Sequence, residues 1–269
     1  MPLAVCATPI GNLDDVTLRV LEELRNADVV LCEDTRHTRV LLARHRLDAR
    51  LLSYHEHNEA KRTAELLPRL VGGERIALVS DAGMPGISDP GARLVNAALE
   101  AGVPVTVLPG PSAVETALVA SGLTGDRFQF LGFLPRGERA LARLWEELRA
   151  WPHAAVGFES PQRLPASLRS LATAEPDRLV AVCRELTKRF EEVARGPARE
   201  LAQRFLEAPK GEITLVIGPR AAPLQTTDAD AAAAAVADLV AAGASRRRAA
   251  EVVSRLTGIG RNELYSRTL

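Results

Sequence analysis

Two loops rich in glycine and proline are the parts of the sequence best suited to binding a small molecule. Residues 80–91 (SDAGMPGISDPG) follow a predicted strand and contain three glycines and two prolines. Proline makes a loop rigid, and glycine lets the backbone approach a ligand closely. A plain turn needs few of these residues, so the loop predicts a ligand site. Residues 109–113 (PGPSA) have a similar composition after the next strand, and the two loops together predict a crevice.

Charged residues follow two other predicted strands. Glu33, Asp34 and Arg36 stand between a strand and a helix, where acidic residues either cap the helix or belong to a site. Residues 184–192 (RELTKRFEE) concentrate charge after a later strand. That segment forms either a solvated surface or a polar wall that faces a charged substrate.

Several familiar kinds of site are missing from the sequence. Residues 8–15 contain one glycine, too few for a dinucleotide fingerprint or a phosphate loop, and there is no GxSxG elbow of a hydrolase. His55 and His57 lack a further histidine at a useful spacing, so we expect no metal site. The three cysteines are isolated, which fits neither a disulfide framework nor a zinc site and favours a reducing cytoplasm.

The overall composition is that of a globular protein without excess charge. The 269 residues include 34 basic and 34 acidic side chains, which argues against nonspecific attraction of nucleic acid by the whole molecule. Residues 245–269 nevertheless contain six arginines and two glutamates, a net charge of +4. This local excess indicates either a solvated helix face or a nucleic-acid contact. The longest apolar run, residues 231–237, is too short to span a membrane, and the N-terminus has no basic leader, so we expect no signal peptide.

The elements that position these loops alternate between strand and helix. Strands predicted at residues 3–7, 29–32, 51–53, 76–79 and 105–108 are separated by helical patterns, which favours a mostly parallel sheet covered by helices. Thr17 is predicted to cap the first helix, the third is predicted at residues 38–45 of the chain, and Pro68 is predicted to kink or end the next one.

The second half alternates less regularly. Strands predicted at residues 128–131, 154–158, 179–183 and 213–217, with a helix at 201–206, favour a mixed sheet. A linker at residues 220–227 precedes a small helical module, in which Asp228 and Ser245 are predicted to cap helices. We therefore expect an α/β domain over residues 1–109, a second over 110–219 and a helical module over 228–269.

Taken together, the loops resemble one family over nearly the whole chain and in the right order. The chain is similar to the ribosomal RNA small subunit methyltransferase I family of the tetrapyrrole methylase superfamily. The motifs that carry the resemblance are ATPIGNL at residues 7–13, EDTR at 33–36, SDAG at 80–83, SDPG at 88–91, PGPSA at 109–113, FLGFLP at 130–135, RELTK at 184–188 and KGE at 210–212.

The resemblance implies a two-domain α/β fold like that of the tetrapyrrole methylases, which binds S-adenosylmethionine between the domains. It implies methyl transfer to the 2′-hydroxyl of the cytidine at position 1402 of 16S rRNA, in the small ribosomal subunit, by a cytoplasmic homodimer without a membrane partner. Gln162 stands where the family pattern has histidine. The implied cofactor contacts are Pro9, Gly11, Ser80, Asp81, Ala82, Gly83, Pro85, Ile87, Ser112, Ala113, Phe158, Gly211, Glu212 and Thr214.

Charged side chains at the two rims are the predicted catalytic groups. They are Glu33, Asp34 and Arg36 on one side and Glu185 and Lys188 on the other. A ribose hydroxyl is a weak nucleophile that benefits from a base and from stabilisation of its developing charge. We expect Asp34 to orient the hydroxyl or accept its proton. The predicted RNA contacts are Arg184, Arg246, Arg247 and Arg248.

Two other functions stay open at this point. The first is a methylase of corrin-type tetrapyrroles, for which the basic helical module at the C-terminus would be superfluous. The second is a protein without catalytic activity that keeps the fold and binds a ligand or RNA.

Overall fold

A computed structural model describes residues 2–220 and 229–268. The chain divides into two compact units, Met1–Pro219 and Arg220–Leu269. The first unit contains two five-stranded sheets. The first sheet consists of β1 (Leu3–Cys6), β2 (Val29–Cys32), β3 (Leu51–Ser53), β4 (Ile76–Val79) and β5 (Val105–Leu108).

All strands of the first sheet are parallel, in the order β3-β2-β4-β1-β5. The loops that follow them therefore leave from the same edge of the sheet. Helices α1 (Leu18–Asn26) and α2 (Thr35–Arg44) share an apolar core with one face, and α3 (Glu59–Val71) and α4 (Ala92–Glu100) share a core with the other. Alternating side chains of the strands enter the two cores, as strand geometry requires.

Local sequence signals explain where these helices begin and end. The Thr17 side chain accepts a hydrogen bond from the Val20 N–H, which confirms the predicted cap. Helix α2 starts at Thr35, three residues before the predicted start, because the Asp34 side chain accepts from the Arg36 N–H and caps it. Helix α3 continues past Pro68 to Val71, so the predicted early end is wrong.

The second sheet consists of β6 (Phe128–Phe133), β7 (Ala154–Glu159), β8 (Leu179–Arg184), β9 (Glu192–Pro197) and β10 (Ile213–Ile217). Its order is β6-β7-β10-β8-β9, with one parallel pair, β6 and β7, and three antiparallel pairs. The α/β fold class, with a parallel first sheet and a mixed second sheet, is thus confirmed. Strand β9 was not predicted from the sequence.

Four helices pack on the second sheet: α5 (Ala113–Ser121), α6 (Glu138–Ala150), α7 (Leu164–Ala174) and α8 (Ala198–Arg204). Helix α8 starts three residues earlier than predicted and ends at Arg204. Helix α5 directly follows the first sheet in the chain, yet its buried side chains meet those of the second sheet. This packing favours a domain boundary at residues 109 and 110.

The second unit is a small helical module. Helices α9 (Ala229–Ala241), α10 (Arg246–Thr257) and α11 (Arg261–Arg267) share a core that includes Val236, Val253 and Leu264. The Ser245 side chain caps α10 by accepting from the Arg248 N–H, as predicted. The predicted cap Asp228 and residues 221–227 of the predicted linker lie outside the described residues.

Candidate active site

A crevice of about 650 Å³ opens between the edges of the two sheets. One wall comes from the segments after β1, β4 and β5, and the other from the ends of β6 and β7, the segment after β8 and the start of β10. Because β10 runs antiparallel to β7 and β8, its first residues meet their last ones. The volume lies within the usual range for small-molecule sites.

Backbone pairing fixes the first wall. Thr8 and Gly83 exchange two hydrogen bonds, from the Thr8 N–H to the Gly83 oxygen at 2.9 Å and in reverse at 3.0 Å. The Thr8 hydroxyl also donates to the Ser80 carbonyl at 3.0 Å, and the Ser80 hydroxyl donates to the Ala82 and Gly83 carbonyls at 3.2 Å. The two loops therefore form one rigid surface.

The loop after β1 also touches the segment after β8, at Gly11. A Cβ atom at Gly11 would lie 2.6 Å from the Thr187 hydroxyl oxygen and 2.7 Å from the Leu186 carbonyl oxygen. The Asn12 N–H donates to the Thr187 hydroxyl oxygen at 3.0 Å. Only glycine allows this approach, which joins the two walls at one end of the crevice.

Glu185, Lys188 and Glu212 form an ionic network on the second wall. The Lys188 ammonium donates to Glu185 Oε1 and to Glu212 Oε2, both at 2.9 Å, and Glu185 Oε1 also accepts from the Glu212 N–H at 2.9 Å. The Glu212 N–H and the Lys188 side chain lower the pKa of Glu185. Partial burial acts to lower the pKa of Lys188, but the hydrogen bonds to Glu212 and Glu185 outweigh it and raise that pKa.

Backbone strain accompanies this network. Glu185 has φ of 52° and Thr187 has φ of 64°, a conformation that non-glycine residues rarely adopt. Gly211 has φ of 97°, and a Cβ atom there would lie 2.6 Å from Glu185 Oε1. Strained residues persist where the surrounding structure holds them and cluster at functional sites. The network is therefore a candidate for holding the second wall in place.

An acidic cluster lies on the first wall. Burial, followed by the charge of Glu33, raises the pKa of Asp89 from 3.8 to about 6. Burial, followed by the charge of Asp81, raises the pKa of Glu33. Asp81 and Asp89 line the crevice. This edge therefore favours a positively charged ligand group, and Asp89 can exchange a proton near neutral pH.

Asp34 combines a structural role with a place at the rim. Its N–H donates to Asp81 Oδ1 at 3.1 Å, and its side chain caps α2. Hydrogen bonds from the Arg36 guanidinium and then from the Arg36 N–H lower the pKa of Asp34 to about 2. So low a pKa makes Asp34 a weak base, which favours orientation of the hydroxyl over acceptance of its proton.

The second wall is partly aromatic. The Phe158 ring packs edge-to-face against Phe130 and Phe133, with centroids 5.2 and 5.5 Å away. Phe133 is 62% exposed, and both Phe133 and Phe158 line the crevice. Such a wall suits a flat ring.

Below these rings, a buried ion pair anchors the turn after β7. Glu159 is 3% exposed and pairs with Arg163 at 2.5 Å. Its carboxylate also accepts from the Ser160 N–H at 2.7 Å and the Ser167 hydroxyl at 2.5 Å. Gln162, the departure from the family pattern, is exposed and accepts from the Ser160 hydroxyl at 2.9 Å. The turn is thus held without a histidine at this position.

Most of the predicted cofactor contacts lie at the crevice. Pro9, Gly11, Ser80 and Pro85 do not line it, and Gly11 and Ser80 act instead in the loop contacts described above. The predicted residues that line it are Asp81, Ala82, Gly83, Ile87, Ser112, Ala113, Phe158, Gly211, Glu212 and Thr214.

Eleven further lining residues were not predicted. Asp89 and Ser88 stand in the predicted loop, whose composition could have indicated them. Most of the others become neighbours of the crevice only through the packing of the two sheets. The unpredicted lining residues are Ile10, Met84, Ser88, Asp89, Val114, Phe133, Glu159, Ser160, Pro161, Leu186 and Ile213.

The predicted catalytic residues Glu33, Asp34, Arg36, Glu185 and Lys188 flank the crevice and are not part of its lining. Glu33 and Asp34 adjoin Asp81, and Glu185 and Lys188 adjoin Glu212.

The predicted RNA contacts fall in different parts of the chain. Arg184 Nη2 pairs with Glu192 Oε2 at 2.9 Å, and its Nη1 donates to the Lys210 carbonyl at 3.2 Å. Arg246, Arg247 and Arg248 form the first turn of α10 in the second unit, where Arg248 pairs with Glu251 at 3.1 Å. The structure therefore does not bring these arginines together with Arg184 in one unit.

Two other classes of site were searched for in the described ranges. Across residues 2–220 and 229–268, no three histidine, cysteine, aspartate or glutamate side chains are arranged to hold a metal ion. Within the same ranges, no helix is long and apolar enough to cross a membrane.

Comparison with known proteins identifies relatives over the whole chain. A ribosomal RNA small subunit methyltransferase I from Mesorhizobium japonicum is 46% identical, covering 99% of this chain and 91% of its own. A protein of the same name from Micromonospora olivasterospora is 45% identical, covering 98% and 85%. A uroporphyrin-III C-methyltransferase structure from Thermus thermophilus shares the fold, with a TM-score of 0.56 and 23% identity over 80% of this chain and 93% of its own.

The family profile agrees with these likenesses. The family described as Tetrapyrrole (Corrin/Porphyrin) Methylases matches residues 2–202, which include both sheets except β10. The predicted resemblance is confirmed: the chain belongs to the tetrapyrrole methylase family and, within it, to the ribosomal RNA small subunit methyltransferase I family.

Proposed function

We propose that this chain transfers a methyl group from S-adenosylmethionine to the 2′-hydroxyl of the cytidine at position 1402 of 16S rRNA. The relatives that match the whole chain are named for methylation of small-subunit ribosomal RNA. The observation in the structure that carries the proposal is the crevice between the sheets, with an acidic first wall and an aromatic second wall.

The crevice fits the proposed methyl donor. S-adenosylmethionine carries a sulfonium cation, which suits the wall with Asp81 and Asp89, and an adenine ring, which suits the wall with Phe133 and Phe158. The sulfonium supplies an activated methyl group when the donor is bound. The chain must then position the ribose hydroxyl in line with that group, and positioning accounts for much of the catalysis.

Residues at the rim divide the remaining work. Asp34, held ionised beside Arg36, orients the hydroxyl, and Asp89 is better matched to accept its proton because its pKa is about 6. Arg36 has a side chain that is 85% exposed, so it can reach a phosphate beside the target nucleotide. Glu33 tunes Asp89 through its charge, and Glu185 with Lys188 holds the second wall.

Arginines supply the affinity for RNA. Arg246, Arg247 and Arg248, at one end of a helix in the basic second unit, contact the RNA backbone together with Arg184. The target is the small ribosomal subunit, and the enzyme is a homodimer in the bacterial cytoplasm. These assignments rest on the family and on the local charge of +4 in residues 245–269.

A transfer assay tests this function against its alternatives. The protein is incubated with S-adenosylmethionine tritiated in the methyl group and, in separate reactions, with small ribosomal subunits that lack the modification and with a corrin-type tetrapyrrole. We expect label only in the ribosomal RNA. Label in the tetrapyrrole would favour a small-molecule methylase, and cofactor binding by calorimetry without transfer would favour a non-catalytic protein.

A further inference from the structure

Helix α2 and the turn after it form a strongly basic surface. Residues 35–47 contain four arginines and two histidines but no aspartate or glutamate. Thr38, Leu41 and Leu42 are buried against the first sheet, whereas Arg36, Arg39, Arg44 and Arg46 are exposed. These four arginines are called here the α2 basic face.

Two of the four charges are compensated within the protein. Arg36 pairs with Asp34 at 2.7 Å, and Arg44 donates to both carboxylate oxygens of Asp14, at 2.9 and 2.6 Å. In the part of the chain that the structure describes, no carboxylate lies within ion-pair distance of Arg39 or Arg46. The face therefore keeps two cations available to an external anion.

The α2 basic face begins at the crevice. The Asp34 N–H donates to Asp81 Oδ1 at 3.1 Å, and His37 Nδ1 lies 3.9 Å from the same oxygen. Asp81 lines the crevice. Ten helical residues span about 15 Å, so the face extends from the rim of the crevice over a distance that several nucleotides cover.

Arg46 occupies a backbone position that favours glycine. Its φ is 54°, and the Leu47 N–H donates to the Leu42 carbonyl at 2.9 Å while the Arg46 N–H donates to the Ala43 carbonyl at 3.2 Å. This pair of bonds is the Schellman arrangement, whose left-handed residue is usually glycine. An exposed arginine therefore stands where glycine would fit with less strain, which indicates that its cation has a use.

We propose that the α2 basic face binds the phosphate backbone of the RNA strand that presents the target nucleotide to the crevice. This inference rests on the proposed function. Arg39 and Arg46 each contact a phosphate, because a guanidinium matches phosphate geometry with two parallel hydrogen bonds. Arg36 contacts the phosphate nearest the crevice. This binding surface is separate in sequence from the arginines of α10.

A pair of double variants tests the proposal. Arg39→Ala with Arg46→Gly removes two cations from the α2 basic face, and the glycine relieves the strain at residue 46. Lys61→Ala with Arg62→Ala is the matched control, since it removes two cations from the first turn of α3, on the opposite face of the same sheet. Dissociation constants for small ribosomal subunits that lack the modification are measured by filter binding from 50 to 200 mM KCl.

We expect the α2 variant to weaken binding by about tenfold or more at 50 mM salt, and to reduce the slope of log K against log salt by about 1.4–1.8. Its melting temperature should equal or exceed that of the wild type, so that unfolding cannot explain the loss. The control should bind as the wild type does.

Two results would overturn the inference alone while the wild type transfers methyl groups to the subunit. One is an unchanged dissociation constant in the α2 variant, and the other is an equal loss in the control variant. Absence of methyl transfer by the wild type would contradict the proposed function and the inference with it.

Discussion

The contact between Gly11 and the segment after β8 makes a quantitative prediction for Gly11→Ala. The added methyl group would lie 2.6 Å from the Thr187 hydroxyl oxygen and 2.7 Å from the Leu186 carbonyl oxygen. Thr187 already has a strained φ of 64°, so its segment has little freedom to move away. Overpacking costs about 1–3 kcal/mol, and loss of the hydrogen bond from Asn12 to Thr187 adds about 0.5–1.5 kcal/mol.

We therefore expect Gly11→Ala to lower the free energy of unfolding by about 2–4 kcal/mol, measured by urea denaturation. Binding of S-adenosylmethionine, measured by calorimetry, should weaken by about tenfold because the two walls separate. Gly125→Ala is the matched control, since a Cβ atom at Gly125 has no atom within 4 Å and the residue's φ is not positive. Equal stability of the two variants would refute the reasoning.

Three further variants test the site. Asp89→Asn should remove a decline in stability as pH rises from about 4 to 6, because the native carboxyl, with a pKa of about 6, keeps a proton that the unfolded chain releases near 3.8; urea denaturation at pH 4.5 and 7 measures this, and an unchanged pH dependence would contradict it. Asp34→Ala should lose about 1 kcal/mol of stability with the helix cap and reduce turnover while cofactor binding persists, and normal turnover would disprove its role. Replacement of Arg246, Arg247 and Arg248 by alanine should reduce the salt slope of RNA binding by about 2–3, and an unchanged slope would exclude their contact with phosphate.

The regular half of the fold could be predicted because its signals are local. Apolar runs alternate with helical patterns through residues 3–108, and all five strands of the first sheet lie where they were predicted to within a residue. The exceptions also have local causes. Asp34 was noted as a possible cap, but its effect on the start of α2 depends on the hydrogen bond to the Arg36 N–H, which sequence alone does not decide.

The second sheet was harder to predict because tertiary packing determines it. Strand β9 has the sequence EVARGP, in which charged residues and proline hide the strand, and it forms by pairing along β8. Leu186 and Glu159 reach the crevice only through the junction of the two sheets. Glu159 is an acidic residue that is buried because Arg163 and Ser167 satisfy it, and no periodic pattern indicates such an arrangement.

The measurement that tests the central claim most directly is the position of the methyl group on the RNA. Small ribosomal subunits that lack the modification are incubated with the protein and labelled S-adenosylmethionine, and the 16S rRNA is digested and analysed by mass spectrometry. We predict one labelled nucleoside, 2′-O-methylcytidine, in the fragment that contains position 1402. A methyl group on a base, on a different nucleotide, or on none would contradict the account.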